Sequence, residues 1–213
     1  MLHNWLYFLS LGFNALNIPY LIREIVDGKS GGGPSAKAIA LSGNVEAVDK
    51  ILTFGGIAAL SAFSDKFGRK PLLAWSSLGF AMTNLLQAFA AFATTASPAT
   101  RTAILYLADL IDGCSSCMTP VCQAYAADCS SSRTLASNLG VFQGLSIGGA
   151  FILAFPIGGL LGAKFGPLLP VSLGAGFQFL NFLIALLVTP ESNTNKQAKK
   201  DIKFSEVNPI TGL

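Results

Sequence analysis

The chain has 213 residues, of which 52% are hydrophobic and only 12% are charged, whereas an average soluble domain carries about 25% charged residues. The net charge of +3 is small and scattered, so the sequence predicts no basic surface for nucleic acid. The mean hydropathy of +0.56 excludes a disordered chain, and the composition does not fit a small disulfide-bonded protein.

Charged residues are almost absent from the long central part of the chain. Only six occur in the 120 residues from Pro71 to Pro190, and a helix needs roughly 20 apolar residues to cross a hydrocarbon core of about 30 Å. Backbone groups in lipid must be satisfied within the segment, which favours helices. The sequence therefore predicts an all-α, polytopic membrane protein with six transmembrane helices, at about 4–25, 46–64, 72–94, 102–127, 135–161 and 167–189.

Two of these spans need comment. In the second, only residues 51–64 are free of charge, so the helix crosses only if it continues back through residues 46–50, with their side chains reaching the interface. The first span lacks the basic start of a signal peptide and is longer than one. A membrane helix is therefore favoured over a cleaved leader.

Polar segments connect and follow the spans. The Gly- and Ser-rich stretch 27–44 is expected to be a loop. Residues 1–190 are predicted to form the transmembrane bundle, and residues 191–213 a polar linker with four lysines. Six spans put both termini on one side of the membrane, and that side carries eight lysine and arginine residues against six on the other. The excess indicates cytoplasmic termini.

Two carboxylates lie within the predicted fourth span. Asp109 and Asp112 are three residues apart and share a helix face, with Asp112 about 15 Å along the helix from Thr102. Acidic residues at such depth usually face a cavity, so one hypothesis is that the pair takes up a proton or cation coupled to transport. The alternative is that both line a wide outer vestibule and only shape its potential. Amide side chains that either join this site or only hold helices together are Asn84, Gln87 and Gln123.

Glycines repeat every four residues in the predicted fifth span, at Gly140, Gly144 and Gly148. This spacing forms a flat ridge on which another helix can pack closely. No cofactor or metal site is predicted, since the Cys-x-x-Cys pair at Cys114 and Cys117 lies in an apolar helix without a second such pair. The chain also lacks nucleotide-binding and hydrolase motifs, so an enzyme is not predicted.

A charged turn separates the second and third spans. It has the sequence Ser61-Ala-Phe-Ser-Asp65-Lys66-Phe67-Gly68-Arg69-Lys70-Pro71, and Gly68 suits a tight turn. The turn resembles the signature loop of the major facilitator superfamily, roughly G-x-L-x-D-R-x-G-R-R, with Ser61 in place of the leading glycine. Residues 19–26, 124–128 and 190–192 are similar to helix ends of its drug-efflux branch, which includes the tetracycline-efflux proteins.

The resemblance implies a fold and a mechanism. It covers nearly the whole chain but only the first half of the family's twelve-helix fold, which implies a three-plus-three inverted repeat. The shared fragment Lys-Phe-Gly after the second and fifth spans is consistent with such a repeat. In the family, the loop acid faces a helix of the second half and the loop arginine pairs with the acid that ends helix four. Carried over, Asp65 meets that helix and Arg69 pairs with Asp128 as a conformational latch; the alternative is that the loop only sets topology.

The implied function is secondary active transport of a small solute by alternating access. The expected partners are the lipid bilayer, a small-molecule solute, and either a missing C-terminal half or a second copy of the chain. The fifth span lacks the glycine before Pro156 of the family's antiport motif, so drug/proton antiport is not implied. The alternative function is a truncated, non-transporting membrane scaffold or regulator.

Overall fold

The computed structural model describes residues 1–28 and 33–193. Over these ranges the chain is helical, with no β-strand, which confirms the predicted all-α class. The helices are α1 (Leu2–Val26), α2 (Ala36–Phe67), α3 (Arg69–Phe92), α4 (Pro98–Ser115), α5 (Met118–Asp128), α6 (Leu135–Gln143), a π-helical turn (Gly144–Gly148), α7 (Gly149–Phe165) and α8 (Leu168–Leu187). Most of the expected linker, residues 194–213, and four residues of the expected loop lie outside the described residues.

The helix α1 is the centre of the bundle and packs against α2, α3, α7 and α8. Its buried side is rich in amides, whose polar groups need partners in an apolar interior. Asn17 Nδ2 donates to the carbonyl of Gly158 on α7 at 3.1 Å. Gln178 Nε2 on α8 donates to the carbonyl of Leu6 at 3.0 Å. These bonds hold the central helix to its neighbours with polar contacts as well as apolar packing.

The helix α2 begins at Ala36, before the predicted span, so the expected loop is wrong for residues 36–44, which are helical. It runs without interruption to the charged turn. Ser35 caps its start by accepting the backbone N–H of Ala38 at 3.1 Å. The expectation that the side chains of residues 46–50 all reach the interface is wrong for Asp49, which is only 4% exposed. The cause is the close approach of α4 at Gly113, where an added Cβ would lie 2.9 Å from the carbonyl oxygen of Asp49.

The predicted fourth span is not one continuous helix. The sequence predicts one span over 102–127 with a bend at Pro120, but α4 already ends at Ser115 and α5 begins at Met118. Ser115 Oγ donates to the carbonyl oxygen of Ile111 at 2.9 Å, and the N–H of Cys117 donates to Ser76 Oγ on α3 at 3.4 Å. Pro120 follows in the first turn of α5 and has no N–H to continue the helical ladder. The N–H of Cys117 also donates to the backbone carbonyl of Ser115 at 2.9 Å. Side chains therefore add to the backbone bonds at the break, as suits an apolar environment.

The predicted fifth span is a helical run that contains the π-turn. The glycine ridge of Gly140, Gly144 and Gly148 points into open space, because nothing lies within 4 Å of the position of an added Cβ at any of them. Among the described residues, then, no helix packs closely on this ridge, contrary to the simplest reading of the spacing. The ridge therefore forms part of the exposed surface of the described bundle.

Four helical runs are long and apolar enough to cross a membrane, namely Leu2–Val26, Ala36–Phe67, Leu135–Phe165 and Leu168–Leu187. The most apolar part of α1 is 50% buried inside the bundle, whereas the corresponding part of α2 is 11% buried and that of Leu135–Phe165 is 22% buried. Large apolar side chains such as Ile51 on α2 and Ile152 on α7 are about 70% exposed. These two runs expose the apolar surface that an aqueous protein would bury.

Candidate functional site

Arg69 stands at the start of α3 and joins two other helices. Its Nη1 contacts Asp65 Oδ1 at 2.5 Å and its Nε donates to Asp128 Oδ2 at the end of α5 at 3.1 Å. The same Nη1 donates to Ser64 Oγ at 2.6 Å. The ion pair between Arg69 and Asp128 that the resemblance implies is therefore present, with Asp65 as a second partner.

The two carboxylates do not contribute equally to this network. The Arg69 side chain is 9% exposed and that of Asp128 is 28% exposed, whereas that of Asp65 is 67% exposed and in high dielectric. Partial burial disfavours the charge of Arg69, but the hydrogen bonds to Asp128 and Asp65 raise the pKa of its guanidinium, which stays protonated. Asp128 is consequently the stronger anchor and Asp65 the more accessible one.

Gly68 and Glu191 complete the turn, and Glu191 was not identified in the sequence analysis as part of it. The carboxylate of Glu191 accepts the backbone N–H of Arg69 at 2.8 Å and that of Lys70 at 3.1 Å. It thereby caps the first turn of α3, where unpaired N–H groups favour an anion. Gly68 has φ +111°, and a Cβ there would collide with the Glu191 carboxylate. Glycine is thus required both for the backbone conformation and for space.

The residues that follow α8 are bound to the same turn. The Tyr125 hydroxyl donates to the carbonyl of Pro190 at 3.1 Å, and Ser192 Oγ donates to Asp128 Oδ2 at 3.0 Å. Asn193 Nδ2 donates to the carbonyl of Asp65 at 2.8 Å. Of the two loop lysines, Lys70 contributes its backbone, and Lys66 Nζ lies 5.8 Å from the ring centroid of Phe67. One polar cluster therefore holds together α2, α3, α5 and the exit from α8.

A second polar group surrounds the carboxylates of α4. Asp109 is 8% exposed, and its Oδ1 accepts Gln87 Nε2 of α3 at 3.0 Å. Gln87 is itself buried, and its Oε1 has no hydrogen-bond partner among residues 1–28 and 33–193. The structure thus brings Gln87 to Asp109, and within this part of the chain no donor reaches the amide oxygen.

The same group extends to α2, which the sequence analysis did not include. Asp112 follows Asp109 by about one turn of α4, and the next residue, Gly113, packs against the backbone of Asp49 on α2. Asp49 accepts hydrogen bonds from Lys50 Nζ at 2.5 Å and from Thr53 Oγ1 at 3.1 Å. A sequence signal existed, since Asp49 lies with Glu46 and Lys50 in the charged start of the predicted second span, but only the α2–α4 packing places it beside α4. Among the described residues, no set of three or more His, Cys, Asp or Glu side chains is suited to hold a metal ion.

The other two predicted amides have different surroundings. Asn84 Oδ1 accepts Asn14 Nδ2 of α1 at 2.5 Å, and Asn84 Nδ2 donates to Ser10 Oγ at 3.1 Å. This cluster joins α3 to α1 beside Gly174 of α8, so the described bonds of Asn84 are to helix-packing partners. Gln123 is half-buried on α5.

Several known proteins are similar to this chain. The tetracycline resistance protein, class E, of Escherichia coli is 28% identical over 152 residues, which cover 71% of this chain and 35% of that protein. The tetracycline resistance protein, class H, of Pasteurella multocida is 33% identical over 103 residues, which cover 48% of this chain and 23% of that protein. The crystal structure of the human organic anion transporter MFSD10 (TETRAN) superposes with a TM-score of 0.67 and 20% identity, covering 90% of this chain and 46% of that one.

In each of these comparisons the match spans less than half the length of the similar protein. The structural likeness shows the fold, a helical bundle with several apolar membrane helices. The model of the Major Facilitator Superfamily matches residues 5–211, almost the whole sequence. The chain is therefore an integral, multi-pass membrane protein that belongs to the major facilitator superfamily.

Proposed function

We propose that this chain is one six-helix half of a secondary active transporter, which moves a small solute across a membrane by alternating access. The observation that carries the proposal is the cluster around Arg69. It ties α2, α3, α5 and the exit from α8 together at one end of the bundle. Such a cluster makes these elements move as one unit, which rocking between two states requires. The chain is a transporter part and not an enzyme in this proposal.

The proposed topology has six spans, formed by α1, α2, α3, α4 with α5, α6 with α7, and α8. Support for a three-plus-three inverted repeat comes from two matching turns. Gly68 and Gly166 both have positive φ, at +111° and +87°, and each follows the residues Lys-Phe. Residues 191–213 form the start of the central linker, and both termini are cytoplasmic.

The proposed latch consists of Asp65, Lys66, Gly68, Arg69, Lys70 and Asp128. Asp65 is the exposed partner of Arg69, so its carboxylate is accessible to the N-terminus of a helix in the other half, where a carboxylate is favoured by about 0.3–1 kcal/mol. Asp128 keeps Arg69 in place while that contact forms and breaks. The outward-facing state is held by this contact.

The proposed coupling site consists of Asp109 and Asp112, now joined by Asp49 of α2. Their mutual repulsion is offset only in part by Lys50, whose side chain is 65% exposed and which also contacts Glu46 at 3.9 Å. An excess of acidic side chains inside a membrane protein favours uptake of a proton or a cation. Gln87 supplies an amide oxygen to the same place.

The proposed partner is a second six-helix half, either the continuation of a longer protein or another copy of this chain. It would cover the exposed sides of α2 and of Leu135–Phe165, where Gly55, Gly56 and the ridge of Gly140, Gly144 and Gly148 have open space. Small residues allow close helix contact in membranes. A solute would then bind between the two halves.

The test is transport by purified protein in liposomes, with its mass in detergent measured by light scattering. Labelled tetracycline and the organic anion fluorescein are the probes, because the similar proteins carry those substrate classes in their names. We expect uptake of one probe by the two-half assembly, and we expect Asp112→Asn to remove its dependence on an imposed pH gradient. The alternative, a non-transporting scaffold or regulator, predicts assembly without uptake of either probe.

A further inference from the structure

Two membrane-buried segments of the described chain depart from α-helical geometry. One is the break between α4 and α5 at Ser116 and Cys117, and the other is the π-turn Gly144–Gly148. Departures of this kind are frequent at functional sites of membrane proteins. They lie on different helical runs, so nothing in the backbone itself connects them.

A short series of buried hydrogen bonds does connect them, through Asn4 of α1. Thr119 Oγ1, in the first turn of α5, donates to Asn4 Oδ1 at 3.2 Å. Asn4 Nδ2 donates to Ser146 Oγ in the π-turn at 2.8 Å. Ser146 Oγ in turn donates to the carbonyl of Phe142 at 2.5 Å. Asn4 and Ser146 are fully buried, so water is not available to replace a lost partner.

The asparagine amide can bond both segments at once, because it has an acceptor oxygen and a donor nitrogen. The oxygen and the nitrogen of Asn4 are held in one plane and serve different helices. A rotation of the amide that follows a shift of Thr119 moves the nitrogen away from Ser146. The Ser146 hydroxyl would then lose its donor while it still bonds the Phe142 carbonyl, which belongs to the turn of helix that precedes the π-turn.

We propose that Asn4 couples the break of the fourth span to the π-turn of the fifth, so that the two irregular segments change conformation together. Asn4 is a positioning residue, since it acts through its bonds to Thr119 and Ser146. Among the described residues, no hydrogen bond joins it to the carboxylates of α4. The coupling does not depend on which solute is carried. It would persist if the chain proved to be a scaffold.

The experiment is hydrogen exchange, followed by mass spectrometry, on the full chain in lipid nanodiscs. Thr119→Val removes the hydroxyl and keeps the shape of the side chain. We expect it to accelerate exchange of amides within Gly144–Gly148 by about 3-fold to about 20-fold, the factors that correspond to measured helix–helix hydrogen bonds in membranes. Ser146→Ala should in return accelerate exchange in the first turn of α5. In an Asn4→Ala background, Thr119→Val should no longer affect the π-turn.

The matched control is Ser172→Ala on α8. The Ser172 hydroxyl is exposed and, among the described residues, bonds only its own helix, at the Leu168 carbonyl. This variant should leave exchange at both irregular segments unchanged. The proposal is overturned if Thr119→Val accelerates exchange only in α5, or if its effect on Gly144–Gly148 is the same with and without Asn4. If Asn4→Ala fails to fold, the effect of Thr119→Val alone on exchange within Gly144–Gly148 still decides the proposal.

Discussion

The carboxylate of Glu191 accepts the backbone N–H of Arg69 at 2.8 Å, although the two residues are 122 positions apart in the sequence. The side chain of the same arginine binds Asp65 and Asp128. Backbone and side chain of Arg69 are thus held by acids from three separate parts of the chain. The exit from α8 is therefore an element of the charged turn and not only a linker that follows the bundle.

Replacing Glu191 with glutamine should weaken the start of α3. The amide keeps the shape of the side chain but loses the negative charge and half of the acceptor capacity. We expect Glu191→Gln to lower the free energy of unfolding by about 0.5–2 kcal/mol, measured by titration with sodium dodecyl sulfate in mixed micelles. Glu46→Gln, at a 65% exposed side chain, is the control and should cost less than about 0.5 kcal/mol. Equal losses of unfolding free energy for Glu191→Gln and Glu46→Gln would contradict the role of Glu191 as the cap of α3.

Alanine at Gly68 should be more harmful than alanine at Gly166. Both glycines have positive φ, so either change costs about 1–3 kcal/mol of backbone strain. At Gly68 the added Cβ also collides with the Glu191 carboxylate. At Gly166 no atom of the described residues lies within 4 Å of the added Cβ. Thermal unfolding in detergent should show a clearly lower midpoint for Gly68→Ala. A Gly166→Ala variant that is the less stable of the two would argue against the role of Glu191.

The two carboxylates that bind Arg69 should differ in their contribution to stability. Asp128 is the less exposed partner and also accepts Ser192 Oγ at 3.0 Å. We expect Asp128→Asn to lower the free energy of unfolding by about 1–3 kcal/mol, because a partly buried arginine loses its charged acceptor. Asp65→Asn should cost no more than about 1 kcal/mol, as exposed ion pairs do. The same detergent titration measures both, and a larger effect at Asp65 would refute the assignment of Asp128 as the anchor.

Two glycines of α8 test how tightly the helix packs on the Asn14–Asn84 cluster, because one faces the cluster and the other does not. A Cβ at Gly174 would lie 2.8 Å from Ser10 Oγ and 3.2 Å from Asn14 Oδ1. A Cβ at Gly176 would meet no atom of the described part of the chain within 4 Å. We expect Gly174→Ala to destabilise the bundle by about 1–3 kcal/mol through overpacking. Gly176→Ala should be neutral or stabilising by up to about 1 kcal/mol, because alanine favours the helix. Unfolding midpoints of the two variants give the comparison, and equal midpoints would show that the cluster tolerates displacement.

Much of the fold follows from local features of the sequence. The charge-poor stretches predicted helices in the places where α1, α3 and α8 occur, because the length and hydrophobicity of a membrane helix are properties of consecutive residues. The turn at Gly68 and the pairing of Arg69 with Asp128 followed from the resemblance, which rests on a short run of residues. The break after Ser115 did not follow, since it involves a contact of Cys117 with Ser76 of α3, which is distant in the sequence.

The sequence by itself determined that this is an all-α membrane protein with a charged turn between α2 and α3. It also singled out Asp109 and Asp112, because charges are rare in such helices. Only the tertiary structure decided that Asp49 lies beside them, that Glu191 caps α3, and that the glycine ridge faces open space among the described residues. The physical reason is that burial, capping and close packing depend on which distant residues meet, and a linear pattern of hydrophobicity and charge does not specify those contacts.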